Sequence, residues 1–120
     1  VPPPEEPKPR IGYYDDDARR LDMRSYLDKI NVPFYSVGGW YDIFSQGTID
    51  TFTLLQAKGG AGAKGNQRLY MGGFGHRQLM GDLKYPPEAG GRPMADMIRW
   101  FDHWLKGVDN GILKEPPVKY

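Results

Sequence analysis

Over residues 92–106 the apolar positions Met94, Met97, Ile98, Phe101, Trp104 and Leu105 recur at i, i+3, i+4 and i+7. That is the period of one helix face, and Gly107 stands where a C-cap belongs, so the spacing predicts an amphipathic helix ending at Lys106. Residues 44–58 set Phe44, Thr48, Ile49, Phe52 and Leu55 on one face and predict a second helix. A third, shorter helix is expected over residues 18–30, where Leu21, Met23, Tyr26, Leu27 and Ile30 fall at roughly helical spacing. Asp15, Asp16 and Asp17 lie near its positive N-terminal end. Two runs have strand character instead: residues 32–37, closed by Gly38-Gly39, and residues 68–71, closed by Gly72-Gly73. The glycine-rich residues 59–65 read as a flexible loop, residues 74–91 as loop, and residues 116–120 as extended chain. Helix, strand, helix, strand, helix is the order of an α/β protein with parallel strands.

Composition narrows the function classes. A chain of 120 residues has room for one domain, and 39% hydrophobic with 26% charged residues is a globular rather than a disordered mixture. The formal charge is +1 with the two signs interspersed, which argues against a nucleic-acid footprint. No apolar run approaches the roughly 20 residues that span a bilayer, so no membrane segment is expected. The absence of cysteine removes disulfides, thiolate metal sites and a cysteine nucleophile. Five prolines within residues 1–10 mark that stretch as a linker.

Several motifs fail on context. Gly60-Ala61-Gly62-Ala63-Lys64-Gly65 matches G-x-G-x-x-G in letters but follows a helix and precedes a strand, the reverse of what places a pyrophosphate at a helix N-terminus. The run Asp15 to Asp17 lacks the spacing of a calcium loop, and two histidines leave a zinc site short of ligands. No cofactor or metal is therefore expected. Asp42 and His76 are more informative, because each follows a glycine-rich turn at the carboxyl end of a strand. Ligands and catalytic groups collect there in open parallel sheets, and an Asp and a His on neighbouring strands can pair as orienting acid and general base. A plainer reading stays open beside this one: Asp42 caps the helix near Phe44 and His76 is an ordinary loop residue. His103, inside the helical pattern over residues 92–106, reads as a packing or hydrogen-bonding residue.

Three blocks carry a family resemblance. They are Ile30-Asn31-Val32-Pro33-Phe34 with Val37-Gly38-Gly39-Trp40-Tyr41-Asp42-Ile43-Phe44, then Leu69-Tyr70-Met71-Gly72-Gly73-Phe74-Gly75-His76, then Arg99-Trp100-Phe101-Asp102-His103-Trp104-Leu105-Lys106-Gly107. In this order they resemble the cocaine esterase and X-prolyl dipeptidyl-peptidase-like serine hydrolases, a group that includes β-lactam acylases and α-amino acid ester hydrolases. The resemblance implies a partial α/β-hydrolase fold, with the last two parallel strands and their flanking helices. It implies that Asp42 is the triad acid and His76 the triad base, with Trp40, Tyr41 and Phe74 as weaker candidates for contact with substrate. Gly73 and Phe74 replace the family's usual Pro and Trp before the His. In domain terms it implies that residues 1–30 are a linker and the tail of a helical cap. Residues 31–109 would then be the C-terminal part of the hydrolase core, and residues 110–120 a linker into a jelly-roll domain.

Neither Ser25, Ser36 nor Ser45 has the G-x-S-x-x-G flanks of that family's nucleophile. The expectation is a segment of a serine acyl hydrolase that supplies acid and base but not the serine, and that is inactive alone. Its substrate would be a small-molecule acyl ester, amide or peptide. The alternative is a non-catalytic module that self-associates, as a homo-oligomer, or docks on a partner protein through uncovered apolar faces.

Overall fold

The computed structural model describes residues 16–76, 79–80, 83–86, 89, 91 and 93–120. The proline-rich stretch 1–10 and Asp15 lie outside the described residues, as does part of the 74–91 segment.

The helix expected over residues 18–30 is interrupted. Helix α1 spans Asp16–Leu21, and two 3-10 turns follow at Met23–Ser25 and Leu27–Lys29. Asp22 causes the break: its backbone is extended, its side chain accepts from the Arg24 amide at 3.0 Å, and the Arg24 guanidinium grips the same carboxylate at 2.6–2.9 Å. A carboxylate that offers its own neighbours a hydrogen bond competes with the helix ladder, and here it wins. Leu27 is the one residue of these segments that is buried.

Strand β1 spans Tyr35–Tyr41, helix α2 Ser45–Lys58 and strand β2 Arg68–Gly75. The two strands pair in parallel from Tyr35↔Arg68 to Gly39↔Gly72. Both run further than the sequence pattern indicates, because their glycines continue the ladder rather than end it. Short strands β3 (Leu79–Met80) and β4 (Leu83–Lys84) form an antiparallel pair inside the stretch expected to be loop. Helix α3 spans Pro93–Lys106. Proline opens it, where a missing N–H is harmless, and Gly107 closes it at φ 71° with its amide on the His103 carbonyl.

Strand β5, Val118–Lys119, falls in the stretch that the sequence pattern reads as extended chain. It lies parallel to β2, giving a three-stranded sheet in the order β1-β2-β5. The buried Arg68 guanidinium draws this segment in by bonding the carbonyls of Ile112, Glu115 and Pro116. Burial lowers the Arg68 pKa, opposed by Glu115, so these bonds are made by a cation held against desolvation.

Helices pack on both faces of the sheet. Phe52, Leu69 and Met71 form a core with Ile49 under α2, and a Cβ on Gly38 would touch Met71 and Thr48 at 3.0 Å. On the other face Trp100 of α3 is 2% exposed and packs edge-on against Tyr35 and Trp104, with centroids 6.0 and 5.6 Å apart. This is an α/β arrangement with parallel strands. The glycine-rich residues 59–65 are an ordered turn, not a flexible loop: a Cβ on Gly60 or Gly62 would run into Asn31, and Ala63 is fully buried. Glycine is needed there for close backbone approach, and the amides of Ala63, Lys64 and Gly65 are taken up by the carbonyls of Gly60 and Gln56. No helix among the described residues is long and apolar enough to cross a membrane.

A charge cluster ties α3 to β5. Lys119 contacts Asp96 and Glu115, and Arg99 contacts Glu115, each at 2.6 Å. Hydrogen bonds from Lys119 and then Arg99 hold the Glu115 carboxyl below its usual pKa of 4.5. A carboxyl with a depressed folded-state pKa stabilises the fold above its unfolded pKa, and that contribution fades as pH falls through the folded value. Glu115→Gln is therefore expected to lower the melting temperature at neutral pH. The gap to the parent protein should close as pH falls below the usual carboxyl value of 4.5 and through the lower folded-state value, which thermal unfolding followed by circular dichroism measures.

Candidate active site

The site is built where β1 and β2 end. The regular pairing would set Tyr41 opposite Phe74, but the ladder instead resumes at Tyr41↔Gly75, so β2 spends one residue more than β1 after Gly39↔Gly72. A bulge of this kind moves the following residues by one position. Here it sets Asp42 and His76, each the next residue along, beside one another. Glycine makes the bulge possible. A Cβ on Gly39 would collide with the Phe74 carbonyl, and one on Gly72 with the Phe74 ring. The Phe74 ring is thus laid over the backbone of both strands.

Asp42 uses its two carboxylate oxygens separately. Oδ1 accepts from the Phe44 amide at 2.9 Å, a turn that opens α2, and Oδ2 lies 3.3 Å from His76 Nδ1. The two readings that the sequence left open are thus compatible in geometry, since one carboxylate both starts the helix and meets the imidazole. The Asp42 side chain is 16% exposed and that of His76 is 50% exposed. An ionised Asp42 accepts from Nδ1–H, and this tautomer leaves the Nε2 lone pair to take a proton from a nucleophile.

Among the other candidates, Trp40 and Tyr41 are largely exposed, and Tyr41 packs against Tyr85 at 5.8 Å between ring centroids. Phe74 lies over Gly39 and Gly72. The ring found against His76 is that of Phe44, edge-to-face with centroids 5.1 Å apart and planes at 75°. The helical pattern assigned Phe44 to the core face of α2, and this is corrected: Phe44 is the residue before the helix and is 60% exposed. The signal for it was the D-x-F spacing, since an Asp at a helix start accepts from the amide two residues on and brings that residue to the carboxylate.

His103 has the structural role expected of it, with Nδ1 3.0 Å from the Val108 carbonyl and its ring against Trp104. Ser25 lies in a 3-10 turn, Ser36 of β1 is paired with Leu69 of β2, and Ser45 opens α2 with its amide on the Asp42 carbonyl. Among the described residues no cluster of three or more His, Asp or Glu could hold a metal ion. A hollow of about 190 Å³ lies at the other end of β2, by Gln56, Gln67, Arg68 and Trp100. Gln67 and Arg68 are already bonded to backbone there.

A parallel α/β sheet with an Asp–His pair at adjoining strand ends is the arrangement that serine hydrolases use. The profile of the X-Pro dipeptidyl-peptidase (S15) family matches residues 6–78, which include both Asp42 and His76, and the chain belongs to that family. Two curated proteins described as candidate serine esterases, from Mycobacterium bovis and Mycobacterium tuberculosis, are each 33% identical to it over 92 residues. The match covers 72% of this chain and 13% of each relative, so the chain spans a small part of their length. The protein is thus related to hydrolases of the esterase and peptidase type.

Proposed function

We propose that this chain supplies the triad acid, Asp42, and the triad base, His76, of a serine acyl hydrolase whose nucleophile lies outside these 120 residues. The observation that carries the reading is the 3.3 Å approach of Asp42 Oδ2 to His76 Nδ1 at the carboxyl ends of parallel strands. In the reaction His76 Nε2 takes the proton from the serine hydroxyl as it attacks the acyl carbon. The imidazolium then returns that proton to the departing alcohol or amine. Asp42 holds the tautomer and stabilises the imidazolium meanwhile. A water molecule deacylates the serine by the same route. The relatives' description as serine esterases and the family's X-Pro dipeptidyl-peptidase description support a small acyl ester, amide or peptide as substrate. Trp40, Tyr41 and Phe74 supply apolar surface around the strand ends for its acyl group.

A fluorophosphonate probe tests this. The 120-residue chain alone is expected to remain unlabelled, while the complete hydrolase is labelled at a serine outside it; labelling at Ser25, Ser36 or Ser45 would contradict the reading. A specific feature favours a second reading, a non-catalytic module that self-associates or docks on a partner protein: Met94, Ile98, Phe101 and Leu105 leave an exposed apolar stripe along α3. Failure of the complete protein to react with the probe favours that alternative.

A further inference from the structure

Among the described residues, the one side-chain hydrogen bond of His76 is that to Asp42, at Nδ1. A single hydrogen bond of 3.3 Å to a half-exposed imidazole fixes the position of Nδ1 but leaves the ring free to swing about that contact. Where Nε2 points decides whether it can reach a nucleophile, so something must restrain the ring plane. Phe44 is placed to do so. Its amide fixes Asp42 Oδ1 at 2.9 Å, and its ring stands edge-to-face against the imidazole at 5.1 Å. One residue thereby touches both members of the pair, through its backbone on one side and its side chain on the other. Its 60% exposure sets it apart from Phe52, which is buried against Leu69 and Met71 of the sheet.

We propose that Phe44 is a positioning residue for the general base: its ring restricts the His76 imidazole to orientations that aim Nε2 at the nucleophile. This rests on the proposed role of His76 and goes beyond it. An aromatic pair of this geometry biases a conformational equilibrium by about twofold to tenfold, so the effect is modest beside loss of the base itself.

The test uses the complete hydrolase and a chromogenic acyl ester. Phe44→Ala keeps the backbone amide on Asp42 and removes only the ring, so it is expected to lower kcat about twofold to tenfold with KM unchanged. Phe44→Tyr, which retains the ring, is expected to keep the parent rate. Phe44 acts through His76, so Phe44→Ala added to His76→Ala should cost nothing further. A raised KM with kcat intact would make Phe44 a substrate contact and overturn the proposal. An unchanged rate, or an equal loss in the His76→Ala background, overturns it as well, and that background decides any mixed result. If His76→Ala itself retains activity, the underlying assignment of the base is what has failed.

Discussion

His76→Ala in the complete hydrolase is expected to lower kcat on the order of 10⁴-fold or more, with far less effect on KM. The reason is chemical: without an imidazole the serine hydroxyl must lose its proton to water, and the leaving group must collect one unaided. What remains is the contribution of substrate binding and of whatever donors stabilise the oxyanion. The fold gives no reason for a collapse that could mimic the effect. His76 is half exposed and sits just beyond the last residue of β2, so its truncation opens no core cavity. Melting temperature should stay close to the parent value while turnover vanishes. A loss smaller than tenfold would remove His76 from the triad.

Asp42→Asn should separate the two tasks of one carboxylate. The asparagine oxygen can still accept from the Phe44 amide, so the start of α2 survives and stability is nearly unchanged. Toward His76 Nδ1, however, the variant presents an amide that favours the wrong tautomer and cannot stabilise an imidazolium, and kcat is expected to drop about 10⁴-fold. Asp42→Ala should lose a similar amount of activity and in addition about 1 kcal/mol of stability, because no acceptor remains for the Phe44 amide. Kinetics and chemical denaturation on the two variants together check this. If Asp42→Asn keeps most of its activity, the carboxylate serves only the helix.

The sequence made local order readable wherever side-chain periodicity was the cause. Helix α3 could be read from Met94 to its Gly107 cap, and β1 and β2 from their short apolar runs, because burial of one face leaves a regular trace. The order of Asp42 and His76 after those strands was likewise legible. Backbone acting at a distance was not. Strand β5 has two residues and no pattern of its own; it exists because Arg68, 44 to 48 positions earlier, binds the carbonyls of the chain leading into it. Asp22 broke a helical spacing that the apolar residues alone supported. The register shift that brings His76 level with Asp42 depends on Gly39 of β1 making room for Phe74 of β2, a contact between strands that neither strand encodes alone. Phe44 was assigned to the core because its spacing fitted a helix that begins one residue later. In each case the determining partner is a backbone group or a residue from another element.

Asp42 and His76 are proposed to activate a serine carried elsewhere in the hydrolase. The rate of fluorophosphonate labelling, with mapping of the modified residue, tests it most directly in the parent protein and in His76→Ala. Labelling is expected to be fast at one serine outside the 120 residues and to slow by several orders of magnitude when His76 is lost. Labelling that proceeds equally fast without His76, or that falls on Ser25, Ser36 or Ser45, would contradict it.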